Sequence, residues 1–418
     1  MKIAVVGGGS TYTPELIDGI GRLADVLAVD ELALVDPASE RLELVAGVGR
    51  RILARLGSPT RITTSAVLEP AVAGASAVLL QLRVGGQAAR AEDETWPHEV
   101  DCIGQETTGP GGLAKALRTV PVVLDIAETV RRLAPDAWII DFTNPVGIVT
   151  RALLQAGHRA VGLCNVAIGF QRRFAADLGV APDAVELDHV GLNHLTWERA
   201  AIVDGLDRMP ELISRHAADI AEEIELPEPL LRELGVVPSY YLRYYYAHDE
   251  ELREQRARGS RAAEVARIEA ELLGLYADPT LDHKPDLLAQ RGGAFYSEAA
   301  VQLVAALLGG TPPSRQVVNL RNDGTLPFLP DDAVIEVPAL VDITGVRAVA
   351  LEPLEPLFAG LVAAVTSYED LALDAALRGG RQRVFRALLA HPLVGQVDRA
   401  DALTDALISH NRAHLAWA

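Results

Sequence analysis

Cysteine is scarce in this chain. Only Cys102 and Cys164 occur among its 418 residues, too few for the disulfide framework of a secreted domain, so the composition indicates a reducing compartment. The N-terminal apolar run breaks at Gly7, earlier than in a signal peptide, and no apolar run of the sequence approaches membrane-spanning length. These absences predict a cytoplasmic protein that does not partner a membrane.

Positive charge is also in short supply. Lysine and arginine number 38 against 57 aspartates and glutamates, which gives a formal net charge of −19 at pH 7. Nucleic acids and anionic membranes are bound by basic surfaces, so neither is an expected partner. An anionic small molecule would have to be held by local arginine clusters or by helix N-termini.

The length indicates more than one domain. A chain of 418 residues exceeds what a single hydrophobic core usually organises, so we expect two domains. Hydrophobic residues make up 49% and charged residues 23% of the chain, as in ordinary globular proteins with a large core.

The first half of the sequence alternates short apolar runs with helical segments. The apolar runs occupy residues 2–6, 31–35, 78–82, 138–142 and 160–163, with a weaker run at 61–64. Such alternation is typical of a parallel sheet with helices on both faces. After the first run, Pro14 fits the first turn of a helix that Thr13 would cap and that extends to about Leu27.

We therefore predict an α/β fold in two parts. Residues 1–194 form a Rossmann-like, doubly wound nucleotide-binding domain. Beyond residue 194 the regular alternation stops, and helical sequence becomes dense at 247–273 and 351–414. We predict that residues 195–418 form a mixed α+β, helix-rich domain for substrate binding and oligomerisation.

A glycine turn separates the first strand from the first helix. Backbone amides in such a turn, together with the helix N-terminus, can hold a pyrophosphate. Tyr12 stands where the full dinucleotide fingerprint has its third glycine, so an ordinary strand-to-helix turn is the alternative. The predicted cofactor-binding residues of the turn are Gly7, Gly8, Gly9, Ser10 and Thr11.

Asp36 ends the second strand. An acid at this place can accept hydrogen bonds from the ribose hydroxyls of a dinucleotide and would repel a 2′-phosphate, which favours NAD over NADP. The distance from the glycines is longer than the usual 20 or so residues. The alternative is an aspartate that only stabilises the turn before Pro37.

Two glycine-rich loops follow later strands, at residues 81–86 and 104–112. Ligands of doubly wound sheets bind at the carboxyl edge, where these loops should lie. Arg83 and Arg90 are therefore candidates for binding an anion. The alternative for each arginine is a solvated ion pair with Glu92 or Asp93.

Cys164 follows the strand at 160–163, and His194 ends the segment 191–194. A thiolate and an imidazole at one edge could bind a borderline metal such as Mn²⁺, Co²⁺ or Ni²⁺. Substrate oxygens and water would then complete the coordination, as a catalytic ion requires. The alternative is a buried cysteine and an unrelated histidine.

Five tyrosines crowd into residues 238–246 of a chain that is only 5% aromatic. Packing against the core or a neighbouring subunit explains most of them. A phenol can act as a base only where a cation or metal lowers its pKa.

Taken together, these motifs resemble the family 4 glycoside hydrolases. The resemblance spans nearly the whole chain and implies the two-domain plan of lactate and malate dehydrogenases, assembled as dimers or tetramers. The motifs that carry it are 7–14, 83–86, 104–112, Thr143-Asn144-Pro145, Cys164-Asn165-Val166, Gly191-Leu192-Asn193-His194, Tyr241-Leu242-Arg243-Tyr244, Arg291-Gly292-Gly293 and 319–324.

The resemblance implies an oxidation and elimination route that differs from two-carboxylate hydrolysis. Bound NAD⁺ takes hydride from C3 of the sugar, a base removes the C2 proton, and the glycosidic oxygen leaves before water adds and the ketone is reduced. Cys164 and His194 match the metal ligands of the family, and Tyr241 matches its base. Tyr240 is the nearest competitor for that role.

The residue after Cys164 bears on specificity. Asparagine at this place, here Asn165, resembles the 6-phospho-β-glucosidases, although Ala167 replaces the proline of that pattern. The expected substrate is a 6-phosphorylated β-glucoside. A 6-phospho-α-glucosidase, a glycosidase for unphosphorylated sugars and an ordinary NAD-dependent dehydrogenase are the alternatives. The predicted substrate-binding residues are Arg90, Asn144, Asn165 and Arg291.

Overall fold

The computed structural model describes residues 1–291 and 295–418, so Gly292 and Gly293 of the Arg291 motif lie outside the described residues. The described residues form one sheet of thirteen strands. The strands are β1 (Lys2–Val6), β2 (Glu31–Val35), β3 (Arg61–Ser65), β4 (Ala77–Leu80), β5 (Trp138–Asp141), β6 (Ala160–Gly162), β7 (Glu186–Leu192), β8 (Leu195–Val203), β9 (Leu206–Asp207), β10 (Val237–Pro238), β11 (Ser314–Arg321), β12 (Val334–Asp342) and β13 (Gly345–Ala348).

Helices follow most of these strands. In chain order they are α1 (Thr13–Arg22), α2 (Ser39–Arg55), α3 (Leu68–Val72), α4 (Gly86–Thr95), α5 (Gly109–Leu133), α6 (Val146–Gln155), α7 (Val166–Leu178), α8 (Met209–Ile224), α9 (Glu228–Leu234), α10 (Arg243–Tyr246), α11 (His248–Arg258), α12 (Arg261–Tyr276), α13 (Tyr296–Leu307), α14 (Pro356–Arg378), α15 (Arg381–Ala390) and α16 (Val397–Asn411).

The parallel half of the sheet has the strand order β3-β2-β1-β4-β5-β6. This is the order of a doubly wound dinucleotide-binding fold, in which ligands bind outside the carboxyl ends of the strands. Strands β4 and β5 are buried along their whole length, because helices cover both faces of the sheet. The predicted Rossmann-like fold is confirmed.

The sheet continues without a break into its antiparallel half. Asn319 of β11 pairs with Gly162 of β6, and the order then runs through β12, β7, β8 and β10. Helices make up most of the remainder, so the predicted helix-rich α+β composition of this half is confirmed. The predicted boundary after residue 194 falls in the turn between β7 and β8, and it stays a prediction.

The predicted ends of two elements, α1 and β4, are wrong. Helix α1 follows Tyr12 and ends at Arg22, and Thr13 caps nothing: its Oγ1 accepts a hydrogen bond from Gln81 Nε2 at 2.7 Å. Strand β4 ends at Leu80, two residues early, so Gln81 belongs to the loop at the edge of the sheet. At this edge Gln81 instead uses its side chain to join the loop to Thr13.

Helix α14 is, among the described residues, the one helix long and apolar enough to cross a membrane by length and composition. It packs against α5, α6 and α15. Phe358 and Val362 of this helix are at most 2% exposed. Burial among other helices accounts for its apolar composition.

Gly191 gives a direct test of the antiparallel pairing. Its φ is +147°, and the Cβ of an alanine would lie 2.0 Å from the carbonyl oxygen of Leu195. We expect Gly191→Ala to lower the free energy of unfolding by at least roughly 2 kcal/mol, because backbone atoms must move. Denaturant unfolding followed by tryptophan fluorescence measures this change.

The matched control is Gly169→Ala in α7. No described neighbour lies within 4 Å of the added Cβ, so this variant should gain roughly 0.4–1 kcal/mol from helix propensity and reduced unfolded-state entropy. Equal stability of the Gly191→Ala variant and the wild type would contradict the pairing.

Candidate active site

A cleft of about 840 Å³ opens at the carboxyl ends of the parallel strands. Most of the predicted site residues line it. They are Gly7, Gly9, Ser10, Asp36, Arg90, Asn144, Asn165, His194, Tyr241 and Arg291. The remaining predicted residues, Gly8, Thr11 and Cys164, are buried next to residues of the lining.

The glycine turn packs too closely for any side chain. A Cβ at Gly7, whose φ is +85°, would lie 2.8 Å from the carbonyl oxygen of Gln81, and a Cβ at Gly8 would lie 2.8 Å from Leu34 Cβ. Glycine is therefore required where the turn packs against β2 and the end of β4. The turn brings its backbone to the cleft at the N-terminus of α1, as a pyrophosphate site requires.

Asp36 is placed so that both roles suggested by its sequence context are open to it. Its Oδ1 accepts a hydrogen bond from the amide of Ala38 at 2.9 Å, and its Oδ2 accepts one from the amide of Gly9 at 3.1 Å. Each carboxylate oxygen has a second lone pair, and the side chain lines the cleft. Asp36 therefore stabilises its turn and can still accept hydrogen bonds from ribose hydroxyls.

One part of the cleft lining is apolar. Val122 and Ile126 of α5 line the cleft together with Ala66 and Leu68, which follow β3. An apolar wall near an aspartate that can bind ribose suits a planar heterocycle such as adenine. The sequence patterns do not predict these residues, because α5 is far from β3 in the chain.

Three cationic side chains surround Glu106 beside the cleft. It accepts hydrogen bonds from Arg83 and, at 2.6 Å, from Lys115 Nζ, and Arg90 Nε lies 3.3 Å away. Burial alone would raise the pKa of Glu106, but the three cations hold it well below the usual range. Burial lowers the pKa of Lys115 to about 8, and Arg83 contributes to that shift. Arg90 also pairs with Glu94 at 2.7 Å, so the expected alternative partners, Glu92 and Asp93, are not used.

A second carboxylate, Glu269 of α12, binds two more arginines across the glycine turn. Its oxygens lie 3.3 Å from Arg41 Nη2 and 2.9 Å from Arg291 Nη2. It also accepts a hydrogen bond from Thr11 Oγ1 at 3.3 Å, which gives the buried hydroxyl of Thr11 a partner. Arg291 Nη2 reaches Ser10 Oγ at 3.4 Å, which brings this arginine to the turn.

The lining has an excess of positive charge. Among the described residues that line the cleft, cations outnumber carboxylates, although the whole chain carries a net charge of −19. Such a concentration of positive charge in an acidic protein favours an anionic ligand. The cations are Arg41, Arg83, Arg90, Lys115 and Arg291, and the carboxylates are Asp36, Glu106 and Glu269.

His194 lies in the two-residue turn between β7 and β8, with a φ of +63°. Its ring stacks on that of Tyr241, with centroids 3.6 Å apart and 9° between the planes. Burial lowers the pKa of His194 to about 4, so its imidazole is neutral at pH 7. A metal ligand requires this neutral form.

Hydrogen bonds around Thr107 decide which nitrogen of His194 is free for a metal. Gln105 Oε1 accepts hydrogen bonds from the amide of Thr108 at 2.9 Å and from Thr107 Oγ1 at 2.8 Å. Because the hydroxyl proton of Thr107 is used there, its oxygen accepts from His194 Nδ1 at 2.9 Å. Nε2 of His194 therefore carries the lone pair that can bind a metal.

Cys164 lies between the end of β6 and the start of α7. Burial raises the pKa of its thiol, so the thiol stays protonated until a cation displaces the proton. The hydroxyl of Tyr296 forms a hydrogen bond with it. A thiol and a neutral imidazole are a donor set for a borderline divalent metal, so these residues fit the predicted ion.

Of the five tyrosines in residues 238–246, Tyr241 is the one that lines the cleft, which Tyr12 and Tyr296 line as well. Burial raises the pKa of its phenol, and the negative charge of a Cys164 thiolate raises it further. A phenolate here therefore needs a nearby positive charge and would be a strong base. Among the described residues Tyr240 lies outside the lining, and the guanidinium of Arg243 covers its ring at 3.7 Å.

Two asparagines present amide groups to the cleft. Asn144 follows β5, and its buried Oδ1 accepts no hydrogen bond from any other described group. Asn165 is the N-cap residue of α7. An unsatisfied buried acceptor in a cleft is suited to a ligand hydroxyl.

Known proteins are similar to this chain over nearly its whole length. The sequence profile of family 4 glycosyl hydrolase matches residues 2–180, and that of the family 4 glycosyl hydrolase C-terminal domain matches residues 189–394. A probable 6-phospho-beta-glucosidase of Bacillus subtilis is 38% identical over 430 residues, covering 99% of this chain and 97% of that protein. A 6-phospho-beta-glucosidase of Escherichia coli is 34% identical over 436 residues, covering 100% and 96%.

Among solved structures, the 6-phospho-beta glucosidase of Thermotoga maritima with manganese, NAD⁺ and glucose-6-phosphate superposes with a TM-score of 0.91. It is 32% identical, and the match covers 99% of each chain. Together the profiles account for most of the sequence, from the glycine turn to the helices after β13, and this chain belongs to the family 4 glycosyl hydrolases.

Proposed function

We propose that this protein is a 6-phospho-β-glucosidase that hydrolyses 6-phosphorylated β-glucosides with NAD and a divalent metal, Mn²⁺ first among the candidates and Co²⁺ or Ni²⁺ next. The observation that carries the proposal is the stacking of His194 on Tyr241 in the same cleft as the glycine turn. A metal-binding imidazole, a base and a dinucleotide site then act on one sugar. Relatives named for this activity, one of them solved with manganese, NAD⁺ and glucose-6-phosphate, support it.

When bound, the nicotinamide supplies reversible oxidation of the sugar at C3, and the metal supplies a Lewis acid that stabilises the negative charge formed beside it. The residues that hold these groups are separate. Gly7, Gly8, Gly9, Ser10, Thr11 and Asp36 hold the dinucleotide, and Cys164 and His194 hold the metal.

Tyr241 acts as the base. Oxidation at C3 acidifies the proton at C2, and Tyr241 removes that proton onto its phenolate oxygen. The electron pair left at C2 expels the glycosidic oxygen from C1. Arg90, whose own pKa responds to the charge of Tyr241, is one protein cation that stabilises the phenolate. The negative charge of Glu106 raises the pKa of the phenol, which makes the phenolate a stronger base.

The excess of cations in the cleft accounts for a phosphorylated substrate. A sugar phosphate and a pyrophosphate together bring several negative charges, which the cleft cations offset. Asn144 offers an acceptor to a sugar hydroxyl, and Asn165 favours the β-glucoside by its resemblance to members of that specificity. The residues proposed to contact the substrate are Arg90, Asn144, Asn165 and Arg291.

We also propose that the enzyme works in the cytoplasm as a homodimer or homotetramer. The two cysteines are free, which suits a reducing compartment. The assembly is proposed from the resemblance to the family.

The first test separates this enzyme from an ordinary NAD-dependent dehydrogenase. With NAD⁺ and Mn²⁺ present, we expect p-nitrophenyl 6-phospho-β-glucoside to release p-nitrophenol while total NADH stays constant, because the oxidised sugar is reduced again. The 6-phospho-α-anomer is the control and should be cleaved much more slowly. Stoichiometric NADH without release of p-nitrophenol would indicate the dehydrogenase.

The second test concerns the metal ligands. We expect Cys164→Ala to lower kcat by more than roughly 100-fold and to weaken Mn²⁺ binding, because it removes one of two protein ligands. NAD⁺ affinity, measured by fluorescence titration, should stay within about twofold, since the glycine turn is separate. Cys102→Ala is the matched control, because Cys102 is buried in the hydrophobic core and its Sγ donates a hydrogen bond to the carbonyl oxygen of Leu393, at 3.6 Å, away from the cleft lining. Loss of Mn²⁺ dependence in the Cys102 variant would contradict the assignment.

A further inference from the structure

A network of three buried ionisable groups lies next to the turn that carries His194. Glu198 Oε1 is 2.6 Å from His189 Nδ1, and His189 Nε2 is 3.1 Å from Glu336 Oε1. All three side chains are at most 1% exposed. None of them has a part in the proposed chemistry.

Glu336 is the member of this network that keeps a negative charge. Its Oε2 accepts hydrogen bonds from Asn193 Nδ2 at 3.0 Å and from Asn319 Nδ2 at 2.7 Å. Burial alone would raise the pKa of Glu336, but His189 and the two amides hold it below the usual range. Glu336 is therefore a buried carboxylate with three hydrogen-bond donors, which keeps its charge.

His189 does not neutralise both of its partners. Burial alone would lower the pKa of His189, but Glu198 and Glu336 raise it to about 10, so the imidazole is a cation at pH 7. Burial raises the pKa of Glu198, while the adjacent His189 cation lowers it. With Glu198 and Glu336 both ionised, one imidazolium between them leaves one negative charge. Glu198 makes the closer contact with His189, and the uncompensated charge faces the amides at Glu336.

The strand register explains why Glu336 lies where it does. Glu336 of β12 pairs with Asn319 of β11 on one side and with Gly191 of β7 on the other, and Asn319 pairs in turn with Gly162 of β6. One row of cross-strand neighbours therefore runs from β6 to β7 with Glu336 near its middle. Cys164 follows β6, and His194 follows β7.

The hydrogen bonds of Glu336 lead toward both proposed metal ligands. One comes from Asn193, the residue next to His194, and the other comes from Asn319, whose strand partner Gly162 lies two residues before Cys164. A buried negative charge at this place attracts a cation bound at the end of the turn.

We propose that Glu336 is a positioning residue of the metal site, whose hydrogen bonds to Asn193 and Asn319 fix the turn that carries His194 relative to the strand beside β6, and whose negative charge strengthens binding of a divalent cation. A thiolate and a neutral imidazole together carry one negative charge, so a divalent cation bound by them keeps one net positive charge. The carboxylate of Glu336 offsets this remaining charge from outside the coordination shell. Groups in this position typically change metal affinity by about 10- to 100-fold. The inference rests on the proposed function.

Glu336→Gln tests the charge with little change of shape. We expect the Kd of Mn²⁺ to rise by roughly 10- to 100-fold, measured without substrate on NAD⁺-saturated enzyme from the EPR signal of free Mn²⁺. The Kd of NAD⁺ should stay within about twofold. Glu336→Asp, which keeps the charge, should recover most of the Mn²⁺ affinity, which a purely steric role would not explain.

The matched control is Glu369→Gln on α14. Glu369 is also buried, but burial raises its pKa to about 8, so it is mostly uncharged at pH 7 and the substitution removes little charge. We expect its Kd for Mn²⁺ to equal that of the wild type. An equal rise in both variants would contradict a role for the charge of Glu336.

Glu198→Gln carries the test if Glu336→Gln does not fold. It leaves Glu336 in place but removes one negative charge from the network, so the Kd of Mn²⁺ should rise by roughly three- to tenfold. If either variant folds and binds Mn²⁺ with the affinity of the wild type, the inference about Glu336 is overturned but the proposed function is not. Failure of the wild-type enzyme to bind Mn²⁺ saturably would instead contradict the proposed metal site.

Discussion

The pairing of Gly162 with Asn319 joins the parallel half of the sheet to the antiparallel half. A Cβ at Gly162 would lie 2.4 Å from Thr150 Oγ1 and 2.8 Å from Asn319 Cβ, so a glycine is required for this approach. The pairing brings strands from distant parts of the sequence to one edge. The loop after β6 and the turn after β7 both reach the cleft, where Asn165 and His194 line it, and the proposed metal site depends on this arrangement.

Buried charge is the second constraint on this molecule. Each carboxylate that enters the interior of the cleft wall is paired with cations, as Glu106 and Glu269 are, because an unpaired buried charge is costly. The same ion pairs hold the arginines in place before any ligand binds. The positive electrostatic potential that attracts a ligand phosphate is therefore already present. Preorganisation of this kind reduces the side-chain entropy lost on binding.

The sequence predicts the parts of the site that depend on local pattern. Apolar runs and their spacing predict the parallel strands, and the placement of Gly7 and Asp36 predicts a dinucleotide site. The roles of Cys164, His194 and Tyr241 came from resemblance, because nothing local distinguishes them from core residues. Glu336 was not predicted, since it lies 143 residues from Asn193 in the chain and the two meet only through strand register. Element ends were also not predicted, as at β4, which ends at Leu80 although the apolar pattern extends to Leu82.

The most direct test of this account follows the hydrogen at C2 of the sugar. We expect a 6-phospho-β-glucoside deuterated at C2 to lose its label to water during cleavage, because Tyr241 removes that proton before the glycosidic bond breaks. Tyr241→Phe should nearly abolish both exchange and cleavage while thermal stability is unchanged, and Tyr240→Phe should retain both. Full retention of the C2 label through complete turnover by the wild-type enzyme would contradict the proposed mechanism.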